Sequence, residues 1–206
     1  KIELMAPAGN FESLQAALDN GCDSVYFGVE QLNMRARASV NFTMDDLAEI
    51  AKRCEAKNVR SYLTLNTIIY DHDLSVVKTL INKAKEANIT AVIASDQAVI
   101  AMARSVGMEV HISTQLNVTN IETIKFYSLF ADTMVLSREL SLRQVKKITE
   151  QIEKEQIKGP SGNLVEIEIF GHGALCMAVS GKCYLSLHSH NSSANRGACK
   201  QNCRKK

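Results

Sequence analysis

The chain has 206 residues, 46% of them hydrophobic, and a formal net charge of +2. That length fits one domain with a substantial core. Sparse Pro and Gly argue against disorder, and no apolar run approaches the roughly 20 residues that cross a bilayer. With no basic–apolar–small leader at the front, a cytoplasmic protein with no membrane partner is expected, although the chain opens on Lys1 rather than Met.

In chain order, short apolar strands alternate with amphipathic helices. Strands are predicted at 2–6, 24–28, 61–66, 91–95, 109–113, 133–136 and 165–170, with helices near 11–20, 43–57, 73–88, 96–106, 118–131 and 141–156. Thr43 reads as an N-cap followed by Asp45 and Asp46, and Leu47, Ile50 and Ala51 share one face. Leu74, Val77, Leu80, Ile81 and Ala84 form a second helical stripe, and Gly21 and Gly107 stand where helix C-caps belong. Strict alternation implies a parallel sheet with right-handed crossovers. The first turn, Ala6-Pro7-Ala8-Gly9-Asn10, lacks a G-x-G-x-x-G, and the repeats run on past the strands of an open sheet. The expected fold is α/β, a TIM-type (β/α)8 barrel that is incomplete, with about seven strands and a last unit that would lie beyond Lys206. Residues 1–173 form the expected barrel core, and 174–206 a Cys-rich segment at its C-terminal face.

Active sites of such barrels are built from the loops after the strands, and each strand exit here is polar. These exits carry Asn10; Glu30, Asn33, Arg35 and Arg37; Asn66; Ser95 and Asp96; Ser113, Thr114, Gln115 and Asn117; Ser137, Arg138 and Glu139; and His172. Asn10, Arg35, Arg37, Asn66, Gln115 and Asn117 are the substrate-binding candidates, with Asn10 and Asp96 equally readable as helix caps. The guanidinium forks of Arg35, Arg37 and Arg138 suit a carboxylate or phosphate. They are balanced by a salt-bridge reading that pairs Arg138 with Glu139 and Arg35 with Glu30. His172, Arg138 and Glu139 are the catalytic candidates. His188 and His190 fall in a polar loop, while His111, on a strand, and His72, in a turn, carry no comparable signal.

Six cysteines divide into two groups. Cys22 and Cys54 sit among apolar neighbours as small core residues. Cys176, Cys183, Cys199 and Cys203 crowd the end with C-x6-C-x15-C-x3-C spacing. Lacking a secretory signal, they are better read as ligands for a soft metal centre than as disulfides. The spacing leaves an iron–sulfur cluster, zinc and no metal open, and its wide gaps tilt toward the cluster. The surrounding segment 174–206 has Lys182, Arg196, Lys200, Arg204, Lys205 and Lys206 and no acidic residue, a charge of +6 that leaves −4 on residues 1–173. It either attracts an anionic substrate or nucleic acid, or offsets an anionic thiolate cluster.

Several segments resemble peptidase family U32, long labelled collagenase-like. They are Glu168-Ile169-Phe170-Gly171-His172-Gly173-Ala174-Leu175-Cys176, Ser180-Gly181-Lys182-Cys183-Tyr184-Leu185-Ser186, and Asn195-Arg196-Gly197-Ala198-Cys199 with Cys203-Arg204. The opening Leu4-Met5-Ala6-Pro7-Ala8-Gly9-Asn10, Val25-Tyr26-Phe27-Gly28, Ser113-Thr114-Gln115-Leu116-Asn117 and Leu136-Ser137-Arg138-Glu139 are similar as well. The resemblance implies a barrel core and a [4Fe–4S] cluster on Cys176, Cys183 and Cys199. The fourth ligand is either Cys203 or a cysteine further along than this chain. It also implies oxygen-independent hydroxylation, with tRNA wobble uridine (using prephenate), ribosomal RNA cytidine or a quinone precursor as substrate.

The leading expectation is therefore an iron–sulfur enzyme that hydroxylates RNA, with tRNA and a small-molecule hydroxyl donor as partners and a homo- or heterodimer compatible with the sequence. A peptidase is the alternative, though no H-E-x-x-H or G-x-S-x-G is present. A zinc-stabilised scaffold that binds RNA or a partner is the third reading.

Overall fold

The computed structural model describes residues 2–29, 32–34, 42–173 and 175–204. Among these residues, seven strands lie in one parallel sheet: β1 (Met5–Ala8), β2 (Ser24–Gly28), β3 (Arg60–Leu65), β4 (Ala91–Ala94), β5 (Glu109–Ile112), β6 (Thr133–Val135) and β7 (Glu166–Glu168). Their spatial order is their sequence order, with every neighbouring pair parallel. A doubly wound sheet reverses its order at a switch point, and this one never does. Right-handed crossovers then place every connecting helix on one face, and the sheet curls so that its other face lines an interior. The expected barrel architecture is present as a curled array of seven strands.

The helices are α1 (Phe11–Asp19), α2 (Leu47–Glu55), α3 (Leu74–Glu86), α4 (Gln97–Ser105), α5 (Ile121–Tyr127), α6 (Leu142–Glu155) and a short α7 (Leu185–His190). The principal core lies between them and the outer sheet face. There Val25, Phe27, Leu63, Leu65, Val92, Val110, Ile112 and Met134 meet Leu14, Ile50, Leu80, Val99 and Ile124. Each such side chain contributes about 1.5–3 kcal/mol by leaving water. Cys22 and Cys54 belong to this core, and burial pushes the Cys54 thiol up to about 11. A second, smaller apolar cluster of Tyr62, Ala91 and Ile93, flanked by Met5 and Tyr26, occupies the inner face.

Local chemistry adjusts several boundaries. The first strand lies at 5–8 rather than 2–6, because Asp23 and Ser24 donate their amides to Leu4 O and leave Ile2 92% exposed. Pro7 is tolerated in this strand, which forms one end of the row and needs fewer ladder donors. The helix expected over 118–131 is reduced to 121–127, since Val118 bridges to Leu136 in extended form and Asn120 caps at Thr123 N. Thr43 does bond Asp46, but it opens a 3-10 turn ahead of α2. Gly21 and Gly107 take left-handed backbone after α1 and α4, with φ of 78° and 68°. The strand expected to reach Phe170 stops at Glu168, with Ile169 and Phe170 about half exposed. The polar loop expected around His188 and His190 is instead helical, as α7.

Candidate functional site at the strand exits

The exits of β3, β4 and β5 are bound into one polar network. Ser95 Oγ donates to Asn66 O at 2.9 Å, and Asn66 Nδ2 reaches Ser113 Oγ at 3.4 Å and Gln115 Oε1 at 3.5 Å. Ser113 Oγ in turn donates to Gln115 Oε1. Asn66 Oδ1 accepts the amide of Met34 at 3.1 Å. After the 3-10 turn Thr114–Leu116, Asn117 adopts φ 52°, a left-handed conformation that Asn tolerates better than most residues. This aims its Nδ2 at Gln115 O and Ser180 O, both at 2.9 Å. Gly181, with φ 70°, packs so tightly on Gln115 that an added Cβ would stand 3.1 Å from its backbone oxygen.

Arg138, just after β6, joins this rim to the thiol-bearing segment. Its Nη1 donates to Cys176 O at 3.3 Å, and its Nη2 to Ala178 O at 3.1 Å and Ser180 Oγ at 2.8 Å. Its Nε is closed off from solvent and has no acceptor among the described residues. The expected salt bridge with Glu139 is not formed. Among the described residues Arg138 has no ion pair, and Glu139 bonds the Ser137 hydroxyl instead. That hydroxyl chiefly lowers the Glu139 pKa below the ordinary carboxylate value. Two neutral carbonyls and a hydroxyl orient the Arg138 guanidinium without cancelling its charge.

Asn10 and Asp96 resolve toward their capping roles. Asn10 Oδ1 accepts Ser13 N at 2.8 Å, and Asp96 accepts Ala98 N at 2.9 Å and Ile69 N at 3.2 Å. His172 is exposed beyond β7 and makes no hydrogen bond among the described residues. Arg35 and Arg37 lie outside the described residues, as does Glu30.

The Cys-rich segment is fastened to the barrel by Ile68 N on Asn195 O and by Arg196 on Ile68 O and Asp73. Within it, Arg204 Nη2 reaches Leu175 O at 3.1 Å and Lys200 N reaches Ser186 Oγ at 3.0 Å. These bonds draw the chain beside Cys203 toward that beside Cys176, and the chain beside Cys199 toward that near Cys183. All four thiols are free; Cys183 is half-buried and the other three exposed. Gln201 N donates to Cys199 Sγ at 3.4 Å. Even so, among the described residues no three Cys, His, Asp or Glu side chains are grouped to hold a metal. The sulfurs as arranged do not make a formed tetrathiolate site.

The sequence reading passed over the barrel interior. In Glu109-Val110-His111-Ile112-Ser113, Val110 and Ile112 pack under the helices, so Glu109, His111 and Ser113 face inward. His111 is 3% exposed, with Nε2 3.0 Å from Glu109 Oε1 and its ring 4.5 Å from that of Tyr62. Tyr62 OH donates to Glu3 Oε1 at 2.8 Å, and Glu3 also pairs with Arg60. Burial pushes the Tyr62 phenol up to about 12. Glu168 points inward from β7, opposite Val135, while Ile167 packs outward. The signal was the period-two alternation of polar and apolar residues, legible once a barrel is assumed.

The family model described as peptidase family U32 matches residues 9–206. A "Collagenase" of Porphyromonas gingivalis is 59% identical over 99% of this chain and 49% of its own length. "tRNA hydroxylation protein P1" of Bacillus subtilis is 33% identical over 99% of this chain and 46% of its own. The chain thus spans about half the length of the curated relatives it matches. Among solved structures, the U32 peptidase Mk0906 superposes with a TM-score of 0.61 at 14% identity, over 74% of this chain and 66% of that one. At that identity the likeness concerns the fold. No helix among the described residues is long and apolar enough to cross a membrane.

Proposed function

The chain belongs to peptidase family U32, and from that premise we propose that it forms the barrel half of an enzyme that hydroxylates RNA without oxygen. The proposed substrate is the wobble uridine of tRNA, with prephenate as the hydroxyl donor. Arg138 carries the argument. A guanidinium held at the strand exits by three neutral oxygens keeps its positive charge for an anion, and prephenate offers two carboxylates. Around it, Asn66, Gln115 and Asn117 supply amide groups for the donor's remaining polar atoms, with Arg35 and Arg37 proposed to share the same ligand. Glu139, hydrogen-bonded by the Ser137 hydroxyl, is the proposed proton acceptor at this rim, and the exposed His172 the proposed proton carrier. Lys182, Lys200 and Arg204 offer charge to a phosphate backbone.

A [4Fe–4S] cluster on Cys176, Cys183, Cys199 and Cys203 belongs to this proposal, with zinc as the alternative occupant. It requires the four sulfurs to close together from their present positions, and no step of the reaction is assigned to it. The test is mass analysis of tRNA from a strain lacking the gene, rescued by full-length wild type or by Arg138→Ala. Loss of one oxygen on wobble uridine, restored by the wild type alone, is expected. Unchanged tRNA in the deletion strain overturns the reading.

One observation favours a second reading, collagenase-like proteolysis: the greater identity, 59%, to the relative named "Collagenase". The barrel mouth supplies little for it. Among the described residues the one Ser–His hydrogen bond joins Ser189 to its neighbour His190 on α7, and that hydroxyl already donates to Leu185 O at 2.7 Å. Gelatin cleavage by the full-length protein that is abolished by Cys176→Ala would establish this reading instead.

A further inference from the structure

His111 Nδ1 and Glu168 Oε2 are among the buried polar atoms inside the barrel that have no partner among the described residues. An unpaired buried polar atom costs on the order of 1–3 kcal/mol, and two on the same inner sheet face call for a common explanation. Their strands are β5 and β7, separated by β6. His111 stands opposite Thr133, and Glu168 opposite Val135, two residues further along the same inner face. Two strand spacings and a two-residue offset put their Cα atoms roughly 12 Å apart, a gap that two long side chains and one bridging atom can close. Glu109 sets the roles, because its carboxylate beside Nε2 favours a proton on that nitrogen and leaves Nδ1 as a lone pair directed inward.

We propose that His111 Nδ1 and Glu168 Oε2 together bind a hydroxyl group inside the barrel and pass a proton between them through it. The ligand class is a small hydroxylic molecule, water included. Its hydrogen is donated to Nδ1, and its oxygen accepts the carboxyl hydrogen of Glu168. In the relay the hydroxyl proton moves to Nδ1 while the Glu168 proton takes its place. The ligand leaves unchanged, and a neutral pair becomes an imidazolium and a carboxylate with no electrons exchanged. Burial raises the Glu168 pKa and the facing His111 opposes it, which is consistent with a carboxyl that still holds its proton where surface glutamates have lost theirs. The other ionisable groups on this face are Glu109 beside the ring, Tyr62 against it, Tyr26 flanking Tyr62, Glu3 and Arg60 beyond Tyr62, and Glu166 at the start of β7.

The test uses the full chain with ¹⁵N-labelled histidine, following the His111 ring nitrogens by NMR. The expected wild-type state is a protonated Nε2 and a hydrogen-bonded, unprotonated Nδ1. Glu168→Leu should move the Nδ1 resonance toward that of an unbonded nitrogen, while Glu168→Gln, which keeps a donor, should largely preserve it. An infrared band of a protonated carboxyl, persisting above the pH at which ordinary glutamates ionise, should vanish in both variants. Ethanol is the probe and acetonitrile the hydroxyl-free control. A response to ethanol alone assigns a small alcohol, whereas a retained bridge indifferent to both assigns water. A proton on Nδ1 instead of Nε2, or an Nδ1 resonance indifferent to Glu168→Leu in a folded variant, overturns the proposal. None of these readouts depends on a catalysed reaction, so failure here leaves the RNA-hydroxylation reading untouched, and the converse holds.

Discussion

Arg196 reaches back 123 positions to clasp Asp73, its Nη1 on Oδ2 and its Nη2 3.3 Å from Oδ1. The same guanidinium lies 4.5 Å over the Tyr70 ring and donates to Ile68 O. Together with the Ile68 N–Asn195 O bond, this side chain holds the thiol-bearing segment against the loop after β3.

The Arg196 hydrogen bond is the main reason the Asp73 pKa is lowered below its usual value. A depressed folded-state pKa means stabilisation that is present above the ordinary carboxylate range and lost as pH falls through the lowered value. Asp73→Asn should cost about 1–3 kcal/mol at neutral pH. It should also flatten the stability curve below about pH 4. Urea midpoints measured across pH check both, and faster proteolysis within residues 175–204 should accompany the loss.

Arg138→Lys keeps a charge at the rim but cannot span Cys176 O, Ala178 O and Ser180 Oγ together. Prephenate binding by the full-length protein, measured calorimetrically, should weaken roughly 10- to 100-fold in Arg138→Lys, and more in Arg138→Ala. Equal affinity in all three proteins would remove Arg138 from the donor site.

Asn117 combines a left-handed backbone with two side-chain bonds across the rim. Asn117→Gly should lose the bonds but keep an easy backbone, while Asn117→Ala loses the bonds and adds about 1–2 kcal/mol of backbone cost. Thermal melts should rank wild type above Gly and Gly above Ala.

Anaerobic reconstitution with iron and sulfide tests the thiols one by one. Serine at Cys176, Cys183 or Cys199 should lower bound iron, and serine at Cys203 should do so only where this chain supplies the fourth ligand. Cys22→Ser, in the buried core, should leave iron content unchanged. Iron per chain and the paramagnetic resonance signal are the readouts.

The alternation of β and α was readable because outward strand positions and one stripe of each helix must be apolar to bury each other, as Val92 and Leu80 do. Strand ends were harder, because Ile2 and Leu4 are apolar yet exposed, and only the pairing of Met5 with Ser24 fixes the start of β1. At the site, Arg138, Asn66, Gln115 and Asn117 were found by position after a strand. What sequence could not supply was the partner of Arg138, which lies about 40 residues away on a loop without periodicity. The thiols were grouped by their segment of the sequence, but spacing along a chain does not encode convergence in space. His111 was missed because a histidine on a strand reads as structural until the inner face of that strand is known to enclose space.

On β5 the residues packed under the helices and those turned to the barrel interior alternate one by one: Val110 and Ile112 against the helices, Glu109, His111 and Ser113 toward the centre. Substitutions on the inner set leave the outer packing untouched. Inner positions can therefore vary without changing the side chains packed between sheet and helices. Relatives carrying names as different as a collagenase and a tRNA hydroxylation protein are the divergence that such an arrangement permits.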